Sequence, residues 1–367
     1  MVGIDDVLNK LTTVIDPDLK KDIVSMGMIK DLELKSGNLK FTLELTTPAC
    51  PFNDEIEQDV RNAIKELDEI KNFDMNVTAK VMEGSLYDPD QAMKTVKNII
   101  AVASGKGGVG KSTVALNLAL ALSKSGAKVG LLDADIYGPS IPLMLGLKDT
   151  YMEGKDLGSG LQLQPAESNG IKVVSFGLVP EQESHAAIYR GPIISGILKQ
   201  FLTTTNWTDL DYLIVDLPPG TGDIPLTLAQ TIPLTGILVV TTPQEVASNV
   251  AVKAIAMFDK LNVPMLGVVE NMSYFECSKC NEKHHIFGKG GAERISEKHN
   301  IPFVGAIPLN SGIMEGSDLG KPVMITQPNS PSAEAFTTAA KNIAAQCSIA
   351  AFNLQEETQK EEAPTTS

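Results

Sequence analysis

Apolar residues recur at helical spacing over Ile4, Val7, Leu8, Leu11 and Ile15, until Asp16-Pro17 breaks the run. Two strand-like segments follow, Met28–Leu34 and Leu39–Leu45, and Ser36-Gly37-Asn38 between them is a hairpin signal. The pattern predicts a second helix over Asn53–Leu67 and a last strand over Met75–Val81. Helix, strand, strand, helix, strand predicts a small α+β domain over residues 1–83. Glycine, proline and polar residues then predict a linker over 84–95.

From Val96 the pattern changes to apolar strands alternating with helices, the mark of a mostly parallel sheet flanked by helices. Its strands are expected to end near Asp133, Asp216, Thr241, Asn271 and Pro308. In such an α/β sheet, ligands bind beyond the carboxyl ends of the strands, so residues just after those points are site candidates. This second domain is expected to span 96–348, with a final helix over Ala333–Ala345 packed on the sheet. An acidic tail, 349–367, is expected to be disordered. The sequence has no internal repeat.

Residues 104–112, Ser-Gly-Lys-Gly-Gly-Val-Gly-Lys-Ser, fall between an apolar run, Asn98–Ala103, and a helical pattern beginning at Thr113. The stretch contains Gly105-x4-Gly110-Lys111-Ser112, the spacing of a phosphate-cradling loop. Gly105, Gly107, Gly108 and Gly110 let the backbone approach a phosphate, and the amides through Val109 to Thr113 point at the anion from a helix N-terminus. Lys111 is expected at the β- and γ-phosphates and the Ser112 hydroxyl on Mg2+. Lys106 is additional to this pattern. Its charge would sit beside the phosphates or extend toward a neighbouring subunit.

Leu131-Leu132-Asp133-Ala134-Asp135 delivers two carboxylates to the sheet edge, suited to positioning magnesium and water. Tyr212-Leu213-Ile214-Val215-Asp216 is an apolar strand ending in aspartate, the form of a motif that supports Mg2+ through water. It leads into Leu217-Pro218-Pro219-Gly220-Thr221-Gly222-Asp223, a shaped loop able to sense a γ-phosphate. Val268-Val269-Glu270-Asn271 ends another strand, and the Asn271 amide either reads the edge of adenine or caps a turn. A guanine signature is absent at the strand ends, which favours ATP. Arg190-Gly191-Pro192 opens a helix and either faces a phosphate or makes an ordinary turn.

Composition narrows the partners. The 367-residue chain is 43% hydrophobic, enough for sizeable cores. Its net charge of −14 argues against nonspecific nucleic-acid or acidic-membrane binding. No signal peptide or membrane-spanning run is indicated, and four cysteines make no disulfide framework, so a reducing, cytoplasmic setting is expected.

Together these motifs resemble the Mrp family of iron–sulfur cluster carrier P-loop ATPases, related to the MinD/ParA and nitrogenase iron-protein group. The resemblance is carried by Gly105–Ser112, Asp133–Ser140, Asp216–Asp223 and Cys277-x-x-Cys280. Residues 1–83 are separately similar to the small metal–sulfur cluster biosynthetic domain, through Asp16-Pro17 and Thr46-Thr47-Pro48-Ala49-Cys50-Pro51. The resemblance implies that Lys106 is the signature lysine of a deviant loop acting across a homodimer, and that Asp135 orients the attacking water. Lys106, Lys111 and Asp135 are then the catalytic set.

Cys277-Ser278-Lys279-Cys280 has the spacing that lets two sulfurs bind one metal centre. A four-iron cluster takes four thiolates, and one CxxC supplies two. A two-fold dimer giving Cys277 and Cys280 from each chain closes a bridging 4Fe-4S site, as the family does. His284 and His285 allow another reading, a structural zinc within one chain, and a metal-free redox pair is a third. Cys50, between prolines before a helix, is expected to be a reactive or metal-handling thiolate favoured by the helix dipole. Cys347 reads as core packing, and His185 and His299 as surface residues.

The expected function is a slow ATPase that carries a cluster as a homodimer and, with assembly scaffold proteins, delivers it to apoproteins. The alternatives are a ParA/MinD-like positioning ATPase, which would want a basic face or amphipathic terminal helix, and a nitrogenase-like electron donor.

Overall fold

The computed structural model describes residues 2–84, 95–156, 161–180, 191–222, 225–226, 229, 232–277, 279–280 and 282–362. His185, Arg190, Asp223, Ser278 and most of the expected linker lie outside the described residues. Two compact units emerge, Met1–Glu83 with the residues from Ala344 onward, and Gly84–Ile343.

In the first unit, α1 (Ile4–Leu11) precedes β1 (Ile29–Lys35), β2 (Asn38–Leu45), α2 (Asn53–Lys65) and β3 (Asn72–Ala79). Ser36 and Gly37 both have positive φ, the mark of a two-residue hairpin turn matched to strand twist, and Lys35 pairs with Asn38 across it. β2 then pairs parallel with β3 through the α2 crossover. Alternate β2 residues Leu39, Phe41, Leu43 and Leu45 bury against Val7 and Leu11 of α1 and Ile56, Val60 and Ile64 of α2.

The second unit is built on β4 (Val96–Ala103), α3 (Lys111–Lys124), β5 (Val129–Asp133), α4 (Ile141–Met144) and a β6–β7 ribbon (Glu153–Asp156, Leu161–Gln164). Next come β8 (Ala166–Ser168), β9 (Ile171–Ser175), α5 (Gly191–Thr204), β10 (Leu210–Asp216), β11 (Gly236–Thr241), α6 (Glu245–Asp259) and β12 (Met265–Glu270). A short ribbon follows, β13 (Phe275–Glu276) with β14 (Lys283–His284), then α7 (Gly291–His299), β15 (Phe303–Ala306), α8 (Ser311–Asp318), α9 (Val323–Thr326) and the start of α10 (Pro331–Glu362), whose residues from Ala344 belong to the first unit. The main sheet has the order β15-β12-β11-β4-β10-β5-β9-β8 and is parallel except for β8 against β9. β4 lies inside it and is buried over most of its length, as its apolar run requires in a sheet covered on both faces. Its carboxyl end stands beside those of β10, with Asp216 in register with Val102, and of β5, with Asp133 in register with Asp216.

Two features differ from expectation. β8 and β9 extend the sheet beyond β5, since Ile171, Val173 and Val174 bury against it. The tail expected to be disordered from 349 is instead helical as far as Glu362. Its Ala, Gln, Glu and Lys residues are strong helix formers, and Cys347 and Ala351 on this helix are buried. Lys21 covers the Phe352 ring at 4.5 Å and is ion-paired with Glu356, which anchors the end of the helix. Among the described residues, no helix is long and apolar enough to cross a membrane.

Candidate functional site: the phosphate loop and the cysteine hairpin

The chain leaves β4 at Ala103, passes through the loop and enters α3 at Lys111, with Gly110 as N-cap in the left-handed conformation. Two glycines are required by close approach. A Cβ on Gly105 would come within 2.4 Å of the Val250 backbone carbon in α6, and one on Gly110 within 2.2 Å of the Asn271 amide nitrogen. Gly107 and Gly108 face open space, with nothing within 4 Å of where a Cβ would stand. The loop is therefore packed from behind and open in front, at the positive end of a 14-residue helix.

Below the loop the Lys111 ammonium is ion-paired with Asp216 Oδ1, and both groups are buried. Lys111 Nζ also lies 3.4 Å from the Ser112 hydroxyl. Asp216 Oδ2 is buried with no hydrogen-bond partner. Burial raises the Asp216 carboxyl, against the pull of Lys111 and the Ser112 hydroxyl. Asp133 is pushed up to about 7 by burial and by the Asp216 charge, although Ile141 N–H, the Ser175 hydroxyl and Lys111 oppose the shift. The Ser175 hydroxyl donates to Asp133 Oδ2 at 3.0 Å and Ile141 N–H at 3.2 Å, while Asp135 N–H donates to Asp133 Oδ1. Asp133 is thereby committed to shaping the turn after β5. Asp135, half-buried, lines an open cleft of about 420 Å³ with Tyr137, Gly138, Pro218, Pro219, Gly222 and Pro225. Lys106 and Thr113 are half-buried at the loop, and Val109 is buried.

Asn271 is brought to the same place from β12. Its side-chain amide donates to the Val109 carbonyl at 2.8 Å, so in this structure it clasps the loop itself. A single buried atom argues for a cation here: Asp216 Oδ2 has no hydrogen-bond partner, and the Ser112 hydroxyl near this carboxylate offers a second oxygen. These residues fit magnesium on a nucleotide phosphate.

Cys277 and Cys280 sit on the β13–β14 ribbon, where Cys277 N–H donates to the Glu282 carbonyl at 3.0 Å. The N–H groups of Lys279 and Cys280, with the Cys280 thiol, hold the Cys277 thiol below its ordinary range. Cys280 is exposed and Cys277 partly so. His284 ends the return strand and His285 follows it, with His284 Nε2 3.7 Å from Glu282 and His285 Nδ1 3.2 Å from the Ser273 carbonyl. Among the described residues, no three His, Cys, Asp or Glu side chains are grouped to hold a metal within one chain.

Cys50 corrects an expectation. It is buried, its thiol donates to Asp18 Oδ2 at 3.1 Å, and burial with the Asp18 and Asp16 carboxylates pushes it up to about 12. One Phe52 N–H at 3.3 Å does not offset this, so Cys50 is held as a thiol. Cys347 is fully buried and its thiol raised by that burial alone. His299 is half-buried, not a free surface residue, and its Nε2 has no partner.

Sequence reasoning missed Ser175 and Glu270. Ser175 is recognisable only through its register with Asp133. Glu270 is buried and accepts from Ser273 Oγ at 2.7 Å and Ala292 N–H at 2.9 Å.

Known proteins match along these same segments. Residues 95–344 match the model of the NUBPL iron-transfer P-loop NTPase family, and residues 4–77 that of an iron–sulfur cluster assembly protein. The chain is 46% identical over 353 residues to an iron–sulfur cluster carrier protein of Synechocystis, covering 96% of this chain and all of that one. It is 42% identical to a protein of the same description from Deinococcus radiodurans, covering 94% and 96%. A nucleotide-binding protein of Archaeoglobus fulgidus, solved with ADP, superposes with a TM-score of 0.57 at 40% identity, over 66% of this chain and 93% of that one.

Proposed function

The chain belongs to the iron–sulfur cluster carrier family of P-loop NTPases, and from that premise we propose that it binds and slowly hydrolyses ATP while carrying a bridging 4Fe-4S cluster to apoproteins as a homodimer. The observation that carries this reading is the pairing, in one unit, of a complete phosphate loop with a hairpin that presents only two thiols. Two thiols leave a four-iron cargo half-ligated, and a two-fold axis supplies the other pair.

In this reading Gly105–Thr113 cradle the phosphates, Lys111 neutralises charge that develops on the transferring group, and Asn271 fixes the loop and lies near the adenine. Ser112 directly and Asp216 through water would hold Mg2+, which supplies charge neutralisation at the β- and γ-oxygens. Asp135, lining the cleft beside Pro218 and Gly222, orients water, and Lys106 reaches the nucleotide of the partner subunit. Cys277, kept toward thiolate by backbone amides in a solvent-facing hairpin, holds the cargo where a recipient can reach it. Domain 1–83, with Cys50 as a protonated thiol, is the second cluster-handling module.

Transfer tests the proposal. Reconstituted wild type should restore an apoprotein that requires a four-iron cluster, and Lys111→Ala should do so more slowly with ATP. Equal transfer by the Cys277→Ala/Cys280→Ala protein contradicts it.

A further inference from the structure

Asn271 and Glu270 are adjacent at the end of β12, yet they bind different parts of the site. The Asn271 amide holds the Val109 carbonyl at 2.8 Å and occupies the space that Gly110 leaves by lacking a Cβ. Glu270, 2% exposed, grips the base of the cysteine hairpin through Ser273 Oγ and the start of α7 through Ala292 N–H. A buried carboxylate is tolerated only when such donors satisfy it, so these bonds set the geometry of the segment.

Ser273 is the hub on the hairpin side. Its N–H donates to the Ile307 carbonyl at 2.9 Å, and its own carbonyl lies 3.2 Å from His285 Nδ1. Ser273 precedes β13 and His285 follows β14, so both legs of the ribbon that bears Cys277 and Cys280 are tied to one residue. Between Asn271 and Ser273, Met272 has a φ of +55°, a conformation that non-glycine residues hold only when neighbours impose it. The path from phosphate loop to the foot of the hairpin is therefore short: Glu270, Asn271 and Ser273 are all buried, and hydrogen bonds tie its two ends.

We propose that Asn271, Glu270 and Ser273 are positioning residues that transmit the state of the phosphate loop to the Cys277–Cys280 hairpin. A bound phosphate orders the loop amides; Val109, whose carbonyl Asn271 holds, is ordered with them, and the strand end fixes the hairpin in turn. Calling the outcome control of cluster release rests on the carrier reading above, but the coupling itself does not require the cluster.

Hydrogen exchange on the full-length, cluster-free protein tests it, followed over residues 273–286 with and without a saturating non-hydrolysable ATP analogue and Mg2+. In the wild type the nucleotide should slow exchange about fivefold or more, the scale of an ordinary allosteric coupling. Asn271→Ala and Ser273→Ala, each at its own saturating nucleotide, should lose that slowing. Ser273→Ala should keep wild-type nucleotide affinity, because Ser273 lies outside the nucleotide site. An unchanged wild type, or either variant retaining the slowing, overturns the proposal. Retention in Asn271→Ala with weakened affinity would make Asn271 a nucleotide contact only. Anaerobic iron loading of the same preparations reports separately on the cargo, and slowing in a protein that then takes up no iron would leave the relay standing and remove the carrier reading.

Discussion

Lys111 and Asp216 form a buried ion pair directly beneath the phosphate loop, with the second carboxylate oxygen of Asp216 left without a partner. Removing one member strands the other. Lys111→Met should cost about 3 kcal/mol or more, as for other broken buried pairs. Adding Asp216→Asn should restore part of that loss, because the desolvated charge goes too. Denaturant unfolding of the two single variants and the double variant measures this. In the proposed function Lys111 serves the phosphates and Asp216 the Mg2+ site, so ATP turnover should fall about 100-fold or more in each.

Asp133 gives the stability a pH dependence of known sign. Its folded value, about 7, lies above the ordinary 3.8, so the folded chain holds a proton that the unfolded chain has released. Its stabilisation is fully present below 3.8 and is lost as pH rises through 7. Wild-type stability minus that of Asp133→Asn should therefore fall from about pH 5 to pH 7, by at most about 1.4 kcal/mol per pH unit. The difference carries the coupled response of Asp216, whose charge is one cause of the shift, so the fall should shrink in an Asp216→Asn background. A difference that rises with pH would reverse the assignment.

The loop glycines should separate folding from binding. Gly107→Ala meets nothing within 4 Å, so it should keep the melting midpoint while the added methyl fills the cradle and weakens ATP binding tenfold or more, about 1.4 kcal/mol. Gly110→Ala, at φ +79° and against the Asn271 amide, should lose both. Calorimetric titration and thermal melts of the two variants decide it.

Thiol chemistry distinguishes the cysteines. Cys277 and Cys280, on an exposed ribbon, should alkylate first, while Cys50 and Cys347 resist until unfolding. Asp18→Asn removes a carboxylate that raises the Cys50 thiol and should speed its labelling. Peptide mass spectrometry follows each site. Labelling of Cys50 as fast as Cys277 would contradict the buried-thiol assignment.

What could be read in the sequence follows from how local each signal is. The phosphate loop was legible because its glycines, lysine and serine are contiguous between an apolar strand and a helix. The strand ends at Asp133 and Asp216 were legible because apolar runs stop there, whereas the Ser175 and Ile141 bonds that hold Asp133 in the turn were not. Glu270 was not, since its partners include Ala292, twenty-two residues on, and a carboxylate is expected outside. Cys50 was misread as a thiolate because the helix start is local, whereas its burial and the opposing carboxylate of Asp18 arrive by the fold. The last helix was cut short because its polar end carries no long apolar stripe, yet Lys21 from the distant loop covers Phe352.

Metal content after anaerobic reconstitution, measured with molecular mass, tests the central claim most directly. The account predicts about four irons and four sulfides per two chains, and none in Cys277→Ala/Cys280→Ala. Zinc in each separate chain, or an iron load unchanged in the double variant, would contradict it.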